Sequence, residues 1–258
     1  MMRKCFFCVA IGICLFVFGC ATPTKNTVFQ ASTIDALLAG VYDGDMSYRH
    51  LLKHGDFGIG TFDRLEGEMV LLDGSIYQIK ADGKVYRPDL SIKTPFATVC
   101  EFVADRTIPI SAGTDYQTLE NLINRFAPNQ NLFYAIKITG KFRRMKTRSV
   151  PGQKKPYPPL KEVTSNQPEF HMKNVSGTIV GFRCPPYIKG INVPGYHLHF
   201  ISSDRTQGGH VLSFEIADGK CEIDILNQYF LILPTNTKDF AKTDLSRDRS
   251  KDLRDVEK

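Results

Sequence analysis

Apolar positions change their spacing several times along the chain, and each change predicts a different element. Ile34, Leu37, Leu38 and Val41 recur at i, i+3, i+4 and i+7 behind a Ser32/Thr33 cap, which predicts helix within 33–54, stopped by Gly55. From Phe57 the pattern shortens to brief apolar runs broken by Asp73-Gly74 and Asp82-Gly83, pairs that favour tight hairpin turns. A β-meander reaching residue 87 follows from it. Strand-like runs near 95–104 and 132–148 flank a helix whose apolar stripe is Leu119, Leu122, Ile123 and Phe126.

Pro151, Pro156, Pro158, Pro159 and Pro168 then each remove a backbone donor, so 150–168 reads as a connector or boundary. Beyond it, 175–183, 196–202, 210–216 and 221–226 read as successive antiparallel strands, with Ala217-Asp218-Gly219-Lys220 as a hairpin turn. The expected fold is α/β of the α+β kind in two domains. A mixed sheet with helices would occupy 33–150 and an antiparallel sheet 151–235. The charged, polar stretch 236–258 predicts a frayed tail.

The chain start changes the picture of where the protein works. A basic Arg3-Lys4 pair precedes an apolar run over 5–19, 15 residues long. A bilayer-spanning helix needs about 20, so this run fits an export signal over 1–19 better than a membrane span. Gly19-Cys20 resembles a bacterial lipobox, so Cys20 is expected to be acylated, with 20–32 as a tether. The expected location is the cell envelope, reached by export and held through a lipid anchor. With Arg3 and Lys4 assigned to that leader, the formal charge of +6 shrinks to a weak bias that argues against nucleic acid as a partner. Cys5, Cys8 and Cys14 would leave with the signal. Cys100, Cys184 and Cys221 then allow at most one disulfide and form no Cys-x-x-Cys metal motif.

Candidate chemistry sits in the second half. His197 and His199 are two apart, so on a strand both imidazoles share one face, and His210 returns on the next strand after a turn-rich segment. Three neutral imidazoles with an open fourth position suit a catalytic Zn2+. The triad supports a zinc lyase, hydratase or hydrolase; it permits a cupin-like barrel only weakly, since no Glu follows the pair at short spacing, and its rival reading is a non-catalytic zinc-binding envelope lipoprotein. His50, His54 and His171 have no comparable spacing and read as helix-end or surface residues. Arg143, Arg144, Lys146 and Arg148 read as a solvated basic run. Glu68 opens the apolar Met69-Val70-Leu71-Leu72, where a carboxylate is costly unless paired.

Longer motifs then narrow the choice. Pro194-Gly195-Tyr196-His197-Leu198-His199-Phe200, Gly208-Gly209-His210-Val211-Leu212, Lys146-Thr147-Arg148-Ser149-Val150-Pro151 and Pro156-Tyr157-Pro158-Pro159-Leu160 resemble the α-acetolactate decarboxylase family. So do Gly58-Ile59-Gly60-Thr61-Phe62, Leu65-Glu66-Gly67-Glu68-Met69 and Asp73-Gly74, which extends the resemblance over about 33–235. The resemblance implies a two-domain α/β fold and decarboxylation of a 2-hydroxy-3-oxo acid, (S)-2-acetolactate, to (R)-acetoin through a zinc-stabilised enediolate. It implies Zn2+ on His197, His199 and His210, with Arg148, Glu68 and Thr61 in the pocket. It further implies a catalytic carboxylate from a tail folded back over the metal, for which Glu257 is the candidate, against the fraying that composition predicts. A homodimer is expected.

Overall fold

A computed structural model describes residues 25–257. The expected signal, Cys20 and the first residues of the tether lie outside this range. The rest of the tether is not a tether. Thr27–Ala31 forms β1, every residue of it buried, paired with two other strands. Its Gln30 amide donates to the carbonyls of Ser32 and Ile191, so the apolar pair Val28-Phe29 can be buried without orphaning a polar neighbour.

Helix starts at Thr33 as the pattern predicts, the Thr33 hydroxyl capping Ala36 N–H at 3.2 Å, but α1 ends after Ile34–Leu38. Gly40, at φ +94°, turns the chain out of the helix. A two-residue strand, β2 (Met46–Ser47), separates α1 from the one-turn helix α2 (Tyr48–Leu51). The meander follows as β3 (Phe57–Thr61), β4 (Glu68–Leu72), β5 (Ser75–Ile79) and β6 (Val85–Tyr86). Asp73 and Gly74, both at positive φ, make the β4–β5 turn that the Asp-Gly signal predicts.

Three more strands, β7 (Lys93–Thr94), β8 (Phe96–Cys100) and β9 (Arg106–Ile110), lead into α3 (Tyr116–Phe126). Leu119 and Ile123 of the predicted stripe are buried, whereas Phe126 is exposed. Then come β10 (Phe133–Arg148), α4 (Leu160–Thr164), β11 (Glu169–Cys184), β12 (Gly195–Ser202), β13 (Gly208–Leu226) and β14 (Gln228–Ile232). The tail forms α5 (Lys238–Lys242) and α6 (Ser250–Val256).

Two sheets carry the fold. The first runs β14-β1-β8-β3-β4-β5-β6; the second runs β10-β11-β12-β13-β9 and closes on itself through β10–β13 pairing. The expected division at 150 does not separate them. β9 and β10 precede the proline-rich connector yet belong to the second sheet, while β14 returns to pair in parallel with β1 in the first. Backbone pairing, a long-range property, decides sheet membership here.

The predicted hairpin at 217–220 is likewise absent. β13 continues through Ala217–Lys220 with a one-residue bulge at Ala217, and Gly219 lies opposite Gly140 of β10 on one side and Ile110 of β9 on the other. Partners on both sides satisfy the backbone groups that a turn would otherwise have to satisfy locally.

Alternation along the strands of the first sheet buries both its faces. Phe57, Ile59, Val70, Leu72 and Ile79 pack against Ala135, Val180, Phe182 and Ile201 of the second sheet. Met69, Leu71, Ala97 and Val99 pack on the other side with Tyr48, Leu51 and Phe62. Glu68 has the parity of Val70 and Leu72, which aims it at the second sheet. The interior of the closed strands holds Ile136, Ile138, Phe142, Ile179, Leu198 and Phe200, sealed by α3. Cys100, Cys184 and Cys221 are buried free thiols.

The tail is docked rather than frayed. Leu253 and Val256 of α6 join Ile34, Leu37, Phe96, Val150 and Leu160 in a further apolar cluster. Its charged composition reflects the outer side, where Lys161 reaches Asp255 at 2.7 Å.

Candidate active site

The site forms where three neighbouring strands of the second sheet face the first. Register places His199 opposite His210 and His210 opposite Arg148, one row across β12, β13 and β10. His197 lies two residues along β12 on the same face. Gly209 makes that row possible. At φ +136°, its position would put a Cβ 2.4 Å from the Arg148 carbonyl oxygen.

The three imidazoles bring a ligand nitrogen each within 4.8 Å of one another, and their ring centroids stand 5.1–5.4 Å apart. Burial, reinforced by the Arg148 charge, holds His197 down to about 3, and His199 and His210 lie well below the usual histidine range. All three are therefore neutral and keep a lone pair at physiological pH. Nδ1 of His199 donates to the Met69 carbonyl at 2.9 Å, which fixes the tautomer and leaves Nε2 as the bare nitrogen. That Nε2 is buried with no hydrogen-bond partner among the described residues, and so is Nδ1 of His197. Orphaned buried nitrogens are costly unless something binds them, and a nitrogen-preferring divalent ion fits this donor set.

Carboxyls approach from two directions. β4 carries Glu68 to 3.6 Å from His199 Nε2. The end of α6 carries Glu257 to 3.8 Å from His210 Nε2 and 4.0 Å from His197 Nε2. Burial pushes both carboxyls up to about 7, with the Arg148 charge pulling the other way and Glu257 adding to the rise at Glu68.

Arg148, only 3% exposed, leaves the basic run that precedes it. Arg143 and Arg144 pair outside with Glu215, and Lys146 pairs with Glu169. Arg148 instead turns inward, donating from Nη1 to Gln167 Oε1 and from Nη2 to the Val256 carbonyl, each at 2.6 Å, with Nε unpartnered. Thr61 is opposite Glu68 across β3–β4, and its hydroxyl donates to the Gly67 carbonyl at 2.8 Å. That proton is occupied in holding the turn before Glu68. Thr61, Arg148, His197 and Glu257 line a cavity of about 40 Å³, room for one or two waters.

Of the sequence-predicted site residues within 25–257, these four thus line the cavity, while His199 and His210 adjoin them through the imidazole cluster and Glu68 through its contact with His199. Gln167, the Met69 carbonyl and the Val256 carbonyl were not foreseen. Two of these act through backbone atoms, which no side-chain motif reveals, and Gln167 lies in the proline-rich connector.

Neutral nitrogens with free lone pairs, faced by carboxyls poised to hold or release a proton near neutrality, suit a metal-assisted acid–base enzyme. The particular family follows from comparison with known proteins. Residues 28–247 match the family model for alpha-acetolactate decarboxylase, and the chain belongs to that family. It is an enzyme, a decarboxylase. An alpha-acetolactate decarboxylase of Methanosarcina mazei is 50% identical over 91% of this chain and 81% of that one. One from Bacillus subtilis is 43% identical over 90% of this chain and 91% of that one. The crystal structure of a Bacillus subtilis alpha-acetolactate decarboxylase superposes with a TM-score of 0.87 at 42% identity, covering 90% of this chain and 99% of that one. The fold agrees with this α+β architecture.

Proposed function

We propose that the chain converts (S)-2-acetolactate to (R)-acetoin, with Zn2+ held by His197, His199 and His210. The single observation that carries this reading is the convergence of Glu68, Glu257 and Arg148 on three neutral imidazoles whose nitrogens include orphaned ones.

The substrate's ketone lies β to its carboxylate. When the C1–C2 bond breaks, carbon dioxide leaves and the electron pair delocalises through C2 and C3 onto the keto oxygen as an enediolate. One proton delivered to C2 completes acetoin. Zinc, when bound, supplies a Lewis acid where that oxyanion charge develops.

The chain's own groups do the rest. Arg148 contributes a fixed positive charge that attracts the anionic substrate, its orientation set by Gln167 and the Val256 carbonyl. Glu257, with its acidity pushed to about 7, holds a proton that can pass to C2 near neutral pH. Because it reaches the imidazoles from the α6 side only, the proton comes from one direction, the condition for a single product hand. Glu68, reaching the site from β4 beside His199, takes or returns the hydroxyl proton of the substrate. Ile34, Leu37 and Phe96 give the cavity an apolar lining, which limits the water beside the carbanion's path.

Incubating the purified chain with racemic acetolactate and following acetoin by chiral chromatography tests the reading. Formation of (R)-acetoin that is lost on chelation and restored by Zn2+ is expected. A protein that binds zinc without accelerating acetoin formation would be a zinc-binding protein instead.

A further inference from the structure

A second pair of imidazoles meets far from the sequence motifs used so far. The Ser47 hydroxyl caps α2 by accepting the His50 N–H at 3.3 Å. Past α2 the chain keeps turning, with Lys53 N–H on the His50 carbonyl and His54 N–H on the Leu51 carbonyl, both at 3.0 Å. His50 and His54 thereby stand one turn apart on the same side, with their Nε2 atoms 3.3 Å from each other.

Both rings offer Nε2 to the same point in space. Only one proton fits between two such nitrogens, so at least one presents a lone pair. The His54 ring is also fixed in place. It stacks on the buried Phe29 ring at 3.7 Å between centroids and 4° between planes. Burial, with the neighbouring His50 and Lys53, holds His54 below the usual histidine range, which favours the neutral ligand form. His50 is exposed and borders a groove of about 400 Å³ shared with Asp45, Ser47 and Ile232, so the pair is open to solvent.

We propose that His50 and His54 form a surface chelate for a borderline divalent transition-metal ion such as Cu2+, Ni2+ or Zn2+, made of residues the triad does not share. Two metal–nitrogen bonds of about 2.0–2.1 Å at a tetrahedral angle separate their nitrogens by about 3.4 Å. The rings already hold that spacing, so little reorganisation opposes binding. Imidazole donors suit these ions, and Cu2+ binds tightest among them. Water would complete the coordination, which leaves this site weaker than the buried triad.

Copper titration of the zinc-loaded full chain, read by electron paramagnetic resonance and calorimetry, tests the proposal. The wild type should take up one Cu2+ more than His50→Gln, with a spectrum showing two imidazole nitrogens. His50→Gln and His54→Gln should each weaken that uptake at least tenfold while acetoin formation stays unchanged. His50→Gln leaves the Phe29 stack intact, so a loss there is not a loss of fold. Equal copper uptake by wild type and His50→Gln, or a spectrum with no paired nitrogens, would overturn it.

Discussion

At the scale of single residues, the site holds its charged groups in a buried, mostly apolar surrounding. Glu68 and Arg148 illustrate the point, since neither is in the histidine triad and each is buried. Glu68→Gln keeps the size of the side chain but removes its capacity to exchange a proton. Arg148→Lys keeps the charge but loses the planar fork that reaches Gln167 and the Val256 carbonyl together. Each substitution is expected to retain most of the zinc and to lower turnover by at least about 10²-fold, the typical worth of a positioned proton-transfer group or donor. Parallel metal analysis and steady-state rates check this, and a near-wild-type rate in either variant removes the role assigned to that residue.

Much of this was legible in the chain itself. The i, i+2 spacing of His197 and His199 on an alternating strand dictates a shared face. Glu68 before an apolar run signals a carboxylate in need of a reason. The inward turn of Arg148 was not legible from composition, because the three basic residues before it are solvated and paired outside. Nor was the His50–His54 contact, which depends on the chain turning for several residues past the end of α2.

At the scale of elements, local signals succeed where local geometry decides and fail where partners do. Asp73-Gly74 turns because both residues adopt positive φ between adjacent strands. Ala217-Asp218-Gly219-Lys220 carries the same chemistry and bulges without turning, because β10 pairs with Asp218–Lys220 and β9 pairs with Gly219 and Lys220 from the other side. The tail is the sharpest case. Charge predicts solvation, yet two apolar residues spaced three apart, Leu253 and Val256, suffice to dock α6.

The docking has a functional consequence. α6 delivers the Val256 carbonyl to Arg148 and the Glu257 carboxyl to the imidazoles, but none of the three nitrogen ligands. Deleting 254–258 should therefore leave zinc in place, cut turnover at least about 10²-fold, and erode the chirality of the acetoin formed. An unchanged rate and enantiomeric excess in the truncated protein would show that the tail only covers the site.

At the scale of the whole molecule, the site exists because two sheets made from interleaved segments press face to face. β4 of the first sheet brings Glu68 and the Met69 carbonyl to His199 of the second. A division into two consecutive domains at 150 would have left the row from Arg148 through His210 to His199 split between them. β10 instead spans the second sheet at full length, so Arg148 is a cross-strand neighbour of His210. The chain's mixed α and β character followed from periodicity; strand order did not, because pairing between residues such as Thr27 and Gln228 leaves no local trace.

The central claim is that the three imidazoles hold the ion on which decarboxylation depends. His199 tests it most directly, since its Nδ1 is committed to Met69 and its Nε2 has no hydrogen-bond partner among the described residues. Zinc content and acetoin-forming rate should be measured together in wild type and His199→Ala, with circular dichroism to establish that the variant is folded. One zinc per chain in an active wild type, with zinc and turnover both lost in a folded His199→Ala, is the predicted result; a folded His199→Ala that keeps stoichiometric zinc, or turns over acetolactate without it, would contradict the account.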